Sequence, residues 1–430
     1  MLFKNITVLD EDLNIQKAMY VGTKGDRIAY IGNSMPKVGY GEVLDGTGKL
    51  LMSGFFNSHA HTPMTLMRGY GESLSLQDWL NKRIFPFEAH LTGEDVYYAT
   101  LLGIAESLRF GIVSTTDMYY FCDLMAEAFI ESGAKANIGR GITSFTDQDL
   151  KELPAYQESK DLYEQYNESG DGRIHIDMSL HAEYTSSPKI VAQLAEFTKE
   201  LGARMHVHLS ETVAEHEGCK EKHQGKTPAK YFNDLGLLDC KTTAAHCVYI
   251  EGDDFQILKE KEVTVASNPI SNLKLASGVC NVPKLLEEGI NVAIGTDSVA
   301  SNNSLNYIEE MKFFGLVHKE KFRDPRLTTP RQTIYAGTRA GALGQGREDS
   351  GLLKDGMKAD LIVLDISGPH MYPAHDLANN LVYSASGSDV LLTMVDGNVL
   401  YREGNFPTID MEKVRFETER SIRRIIEALK

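Results

Sequence analysis

Apolar positions along this 430-residue chain follow two rhythms. In the middle, short apolar runs end in polar residues: LLMSGFFNSHAH, GIVSTTDMYY, KANIGRGITS, RIHIDMSLHAEY, ARMHVHLSET, TTAAHCVYI, EVTVASNPISN and NVAIGTDSVAS. Most of the intervals between them carry helical patterns, among them DVYYATLLGIAESLRF, DLMAEAFIESG, PKIVAQLAEFTKELG and DDFQILKEKE. Strands that are apolar throughout and alternate with helices predict a parallel sheet covered on its faces. Eight such units in about 250 residues predict a closed (β/α)₈ TIM barrel. An open doubly wound sheet is the rival, but HAH stands after the first strand where that fold places GxGxxG.

The chain ends read differently. LFKNITVLD, AMYVGT, RIAYIG and EVLDGTG alternate and are punctuated by Gly and Asp, and ADLIVLDI and VLLTMVDGNVLYREG repeat that texture near the C-terminus. Asp396-Gly397 marks a hairpin. Neither end can build a core alone, so the two are expected to pair into one small β-sandwich. This places the sandwich in residues 1–50 and 355–430 and the barrel in 51–354. The final segment reads as an amphipathic helix with a stripe of Val414, Phe416, Ile422, Ile425, Ile426 and Leu429.

Composition narrows the function classes. A net charge of −16 disfavours nucleic acid and anionic membranes as partners. No apolar run approaches the roughly 20 residues that span a bilayer. The five cysteines include no CxxC pair, which suits scattered reduced thiols in a cytoplasmic protein.

The strand ends carry the chemistry, as barrel active sites lie there. They hold His59 and His61, Thr116 and Asp117, Arg140, His181 and Glu183, His208 and Glu211, His246, Asn268 and Asn272, and Asp297. Residues i and i+2 of a strand share a face, so His59 and His61 both aim into the barrel mouth. With His208, His246 and Asp297 on other strand ends they point to a site for one divalent ion, and three nitrogen ligands with one carboxylate suit Zn²⁺, with Fe²⁺ as the alternative. His206 shares the parity of His208 but lies deeper, and is expected to be a hydrogen-bonded core histidine. No lysine ends the fourth strand to bridge a second ion. His90, His175, His216, His223, His318, His370 and His375 lack partners at useful spacing and read as structural or solvated. Trp79, in the long segment after strand one, is either a loop anchor or an apolar wall against a ligand.

Taken together these features resemble the amidohydrolase superfamily, and within it the 5′-methylthioadenosine/S-adenosylhomocysteine deaminases. The resemblance spans essentially the whole chain. It rests on GFFNSHAHTPMTLMRGYGESLSLQDWL, RIFPFEAHLT, HVHLSET, AAHCVYI, SNPISNLKLASG and GTDSVASNNSLN. It implies metal ligands at His59, His61, His208 and Asp297, and substrate contacts from Glu88, Arg140, His181, Glu211 and Asp297. It also implies that His246 sits beside the attacking water, with Glu211, His246 and Asp297 as the catalytic residues. The implied reaction is hydrolytic deamination of a small adenine nucleoside, with an assembly of identical subunits left open. Guanine, 5′-deoxyadenosine or s-triazine substrates, and a non-catalytic ligand-binding barrel, are the alternatives.

Overall fold

The computed structural model describes residues 1–430, and the eight polar-ended runs form the expected barrel. Its strands, in chain order, are Phe55–Ala60, Ile112–Tyr119, Lys135–Ile142, Ile174–Ile176 continued by Met178–Leu180, Met205–Leu209, Thr242–His246, Thr264–Ser267 and Val292–Ile294. Each pairs in parallel with the next. Closure between the last strand and the first uses side chains as well as backbone. The Asp297 N–H donates to the His59 carbonyl at 2.9 Å, and the Asn57 amide exchanges hydrogen bonds with Thr296.

The covering helices start and stop where capping chemistry dictates. Thr92 and Asp95 form a reciprocal box at the start of Gly93–Arg109. Ser187 and Pro188 open Pro188–Leu201, and Gly202, at φ 64°, closes it. Helix Arg339–Gly344 lies so close to the first barrel strand that a Cβ on Gly341 would fall 2.5 Å from the Phe56 carbonyl oxygen.

The two chain ends join in one mixed sheet. Its main path runs Asn398–Arg402, Val390–Val395, Leu361–Asp365, Lys49–Ser53, Leu2–Leu9, Ile15–Lys24, Arg27–Gly32, with Val43–Asp45 beside Leu2–Leu9. Phe3, Ile6, Val21, Leu51, Leu361 and Leu392 fill its inner side. The run LLMSGFFNSHAH is therefore two strands, not one. Lys49–Ser53 pairs with Leu361–Asp365 in the end sheet, and the barrel begins only after Gly54. A Cβ at Gly54 would lie 2.3 Å from a Val113 methyl, so only glycine lets the chain pass between the two sheets there.

Sheet and barrel are joined through a buried ion cluster. Lys135 Nζ, at the base of the third barrel strand, sits 2.6 Å from Asp360 and 2.7 Å from Asp396. The C-terminal helix Met411–Ala428 packs on Gly93–Arg109, where Arg424 donates to Asp95. Its buried stripe differs from the one the pattern predicts: Val414 and Ile425 are buried, but Phe416 is 60% exposed. The buried face completes its turns with Thr418 and Ser421 instead.

Candidate active site

The floor of the barrel mouth is built from strand ends one, five, six and eight. The His61 Nδ1–H donates to the Met118 carbonyl at 2.6 Å, and the His208 Nδ1–H donates to the His181 carbonyl at 2.7 Å. These bonds assign the proton to Nδ1 in both rings, so each Nε2 presents a lone pair. The two Nε2 atoms nevertheless face each other at 3.4 Å. His59 Nε2 is buried without a hydrogen-bond partner, and Asp297 Oδ1 lies 3.5 Å from both His59 Nε2 and His61 Nε2. Three lone-pair nitrogens and a carboxylate oxygen turned toward one point repel one another unless a cation sits among them. The donor set thus fits a divalent metal ion.

Surrounding groups hold each donor in place. His206 Nε2 lies 2.9 Å from His59 Nδ1 and is positioned behind that ring rather than in the cluster. Asp297 Oδ2 accepts from Ser271 at 2.5 Å and Ser301 at 2.9 Å, and Oδ1 accepts the Ser298 N–H at 2.8 Å. Burial holds His59 neutral, at about 3, and pushes His208 well down as well. Close packing is required here. A Cβ on Gly295 would lie 2.2 Å from Asn268 Oδ1 and 2.8 Å from the His59 Cβ. Ser210, His246 and Asp297 all take left-handed backbone angles at their strand ends, φ 49°, 72° and 57°. Such conformations cost roughly 1–3 kcal/mol each and gather where side chains must be aimed at a site.

Above this floor stand the proton-handling groups. His246 Nδ1 is 2.8 Å from Asn272 Oδ1, and its Nε2 points toward Glu211, 3.8 Å from Oε2. Burial raises the Glu211 carboxyl, and Ser277 donates to its Oε1 at 3.2 Å. Glu215 accepts the backbone N–H groups of Ser210 and Glu211, which fixes the turn that carries Glu211. The pocket wall includes Trp79, Phe85, Glu88, Tyr120, His181 and Tyr184. Burial pushes Glu88, beside Tyr119, up to about 7 and His181 down to about 4.

The structure gathers His59, His61, His181, His208, Glu211, His246 and Asp297 around one pocket, with Glu88 and Trp79 on its wall. Trp79 is both buried and pocket-lining, and the segment after strand one is helical at Leu76–Trp79 and Phe85–Glu88. Arg140 does not reach the metal-side chamber. It stacks on Tyr120 at 4.7 Å, bonds Glu158 and the Gly141 carbonyl, and lines an adjoining groove that shares Phe85, Glu88 and Tyr120 with the pocket. Asp117 serves the backbone, accepting the Thr62 N–H. Ser271, Ser277, Ser301 and Glu215 escaped the sequence reading because isolated serines and a helix-borne glutamate carry no spacing signal. The remaining histidines also have more company than expected: His216 faces Glu251, His370 faces Asp389, and His223 faces Glu183.

A closed (β/α)₈ barrel whose mouth holds three imidazoles and a carboxylate around a cation-shaped gap, with a buried carboxyl alongside, defines a metal-dependent hydrolase. The Amidohydrolase family profile matches residues 50–400. The chain is 39% identical over 419 residues, 97% of each chain, to a 5-methylthioadenosine/S-adenosylhomocysteine deaminase of Dictyoglomus thermophilum. It is also 39% identical over 427 residues, 99% of this chain and 98% of the other, to a 5′-deoxyadenosine deaminase of Methanosarcina mazei. Among solved structures, an adenosine deaminase from Xanthomonas campestris with bound zinc superposes with a TM-score of 0.92 at 27% identity, covering 99% and 98% of the two chains. The chain belongs to the amidohydrolase family.

Proposed function

We propose that the protein hydrolytically deaminates an adenine nucleoside, S-adenosylhomocysteine, 5′-methylthioadenosine or both, giving the inosyl product and ammonia. The observation that carries this reading is the raised, buried Glu211 carboxyl beside the cation-shaped cluster of His59, His61, His208 and Asp297. Ring addition at C6 needs such a proton source close to the attacking water. The names of the full-length relatives supply the substrate class. The same four residues would hold the ion, for which Zn²⁺ is proposed on donor type and on the zinc in the Xanthomonas neighbour.

When bound, the ion supplies a Lewis acid that lowers the pKa of water from 15.7 toward about 7. The protein groups then manage the protons. His246 aims the water toward C6 through Nε2, its ring held by Asn272. One water proton reaches ring N1 through Glu211, and the other reaches the leaving amine through Asp297. A C–O bond forms at C6, the C6–N bond breaks, and both carboxyls return to their starting state. Glu88 on the wall accepts from ribose hydroxyls, His181 contacts the purine edge, and Trp79 covers the site. Arg140, in the adjoining groove, reads an amino-acid carboxylate at the 5′ end.

The 5′-deoxyadenosine reading is kept because the Methanosarcina relative is equally similar. Ammonia release, measured across S-adenosylhomocysteine, methylthioadenosine, adenosine, 5′-deoxyadenosine and guanine with metal analysis of the same sample, tests the proposal. Release confined to 5′-deoxyadenosine transfers the assignment to that reading. A metal-loaded protein inert toward all adenine nucleosides overturns both.

A further inference from the structure

A second set of ligand-type side chains lies outside the catalytic pocket. Glu183 opens the turn after the fourth barrel strand, while Cys219 and His223 sit four residues apart at the end of helix Val213–Lys222 and share one face. A carboxylate oxygen of Glu183, the Cys219 sulfur and a ring nitrogen of His223 lie within 4.8 Å of one another, with His223 Nε2 2.9 Å from Glu183 Oε1. Glu183 and Cys219 are 3% and 0% exposed, and His223 reaches solvent at one edge.

An ordinary Glu–His pair accounts for two of these residues but leaves two observations unexplained. The thiols of Cys122, Cys240 and Cys247 donate to backbone carbonyls, whereas the buried thiols of Cys219 and Cys280 have no such acceptor, and of these two only Cys219 has a carboxylate and an imidazole within ligand distance. The Tyr231 hydroxyl is buried without a hydrogen-bond partner, and its electrostatic neighbours are Glu183 and Cys219. The Tyr231 ring stacks on His223 with centroids 4.1 Å apart.

We propose that Glu183, Cys219 and His223 form a second site for a thiolate-binding divalent metal ion such as Zn²⁺, separate from the catalytic cluster. One sulfur, one imidazole nitrogen and one carboxylate oxygen suit that ion, and water held by the Tyr231 hydroxyl completes four-coordination. Binding replaces the thiol proton, which leaves to solvent. Lys222 Nζ, 3.6 Å from Glu183, belongs to a side chain 56% exposed and can swing into water as the ion enters. The ion would brace the turn after His181, which carries the pocket residue Tyr184, against the helix that follows Glu211.

No cysteine belongs to the catalytic cluster, so a thiolate-to-cobalt charge-transfer band reports on this site alone. The purified enzyme is titrated with Co²⁺ while bound metal and the near-ultraviolet spectrum are followed. Two equivalents and a thiolate band are expected in the wild type. Cys219→Ala should lose the band and one equivalent while keeping the other, and His61→Ala should keep the band. His223→Gln retains the thiol and should weaken Co²⁺ binding, read from the band, at least tenfold, so the test survives poor folding of the alanine variant. A single equivalent without the band in the wild type, a band that persists in Cys219→Ala, or an unchanged titration in His223→Gln overturns the proposal.

Discussion

His206 and His208 stand on one face of one strand, two residues apart, and the structure gives them different work. His208 turns its Nε2 toward His61, while His206 supports His59 from behind. Loss of a donor differs from loss of a support. His208→Ala is expected to abolish the bound ion, and His206→Ala to weaken its binding by about 10- to 100-fold, the usual cost of removing a hydrogen-bond partner of a ligand. Metal content after dialysis against a weak chelator measures both, and the reverse order of losses would exchange their roles. Glu211 belongs to the same scale. Its carboxyl is raised by burial and lies next to His246 instead of among the metal donors. Glu211→Gln should keep the ion and lose about 10²-fold or more in kcat, the typical general-acid contribution. A variant with normal turnover removes Glu211 from proton transfer. The convergence of His59, His61, His208 and Asp297 was legible in the sequence because strand parity and the barrel rule together aim them at the barrel mouth. Their supports, Ser271, Ser301 and Asn272, were not assigned roles, because they lie in the short helices Pro269–Lys274 and Val299–Asn302 beyond the strand ends, where strand parity no longer aims a side chain.

At the scale of elements, the third barrel strand delivers Arg140 to the groove beside the pocket, not to the metal floor. Tyr120 and Glu158 hold the guanidinium there, which leaves part of its donor fork open to the groove. Charge-assisted hydrogen bonds contribute roughly 1.5–3 kcal/mol. Arg140→Met is therefore expected to lower kcat/KM for S-adenosylhomocysteine about 10- to 100-fold, at 1.36 kcal/mol per decade. Methylthioadenosine and adenosine, which lack the carboxylate, should change much less. An equal fall for all three substrates would show that Arg140 shapes the groove without reading that charge. The pattern of apolar runs located every barrel strand, but it merged Lys49–Ser53 with Phe55–Ala60. Both are buried strands of one apolar stretch, and only the contact between Gly54 and Val113 shows that the chain changes sheets there. Phe416 misled for the opposite reason. Helical periodicity marks a face, but it cannot say how wide a face the neighbouring helix covers.

Across the whole molecule, the barrel and the end sheet depend on a junction that the sequence did not disclose, since Lys135, Asp360 and Asp396 lie far apart in the chain and follow no motif. Lys135 lies almost wholly out of water between the two carboxylates. Burial alone would raise the Asp360 carboxyl. The Lys135 ammonium, the Ser350 hydroxyl and the Asp396 N–H outweigh that and hold it below the ordinary aspartate value. The sign of the pH dependence follows. A carboxyl whose folded pKa is depressed contributes stability that is fully present above its unfolded value, about 3.9, and is lost as pH falls through the folded value. Asp360→Asn keeps the shape but leaves the buried ammonium with Asp396 as its remaining partner. Removing one member of a buried ion pair costs about 3–5 kcal/mol, and the surviving 2.7 Å contact to Asp396 sets the lower end of that range as the expected loss at pH 7. Thermal unfolding of wild type and Asp360→Asn, followed from pH 7 down to pH 3, should show a gap that is constant at neutral pH and narrows below about pH 4 as the wild-type carboxyl takes up its proton. Metal bound at the catalytic cluster should stay the same in both proteins at neutral pH, because the junction lies at the base of the barrel and the cluster at its mouth. A gap that is unchanged down to pH 3 would mean that Asp360 contributes through shape and hydrogen bonding, and that its charge is not what joins the two parts of the molecule.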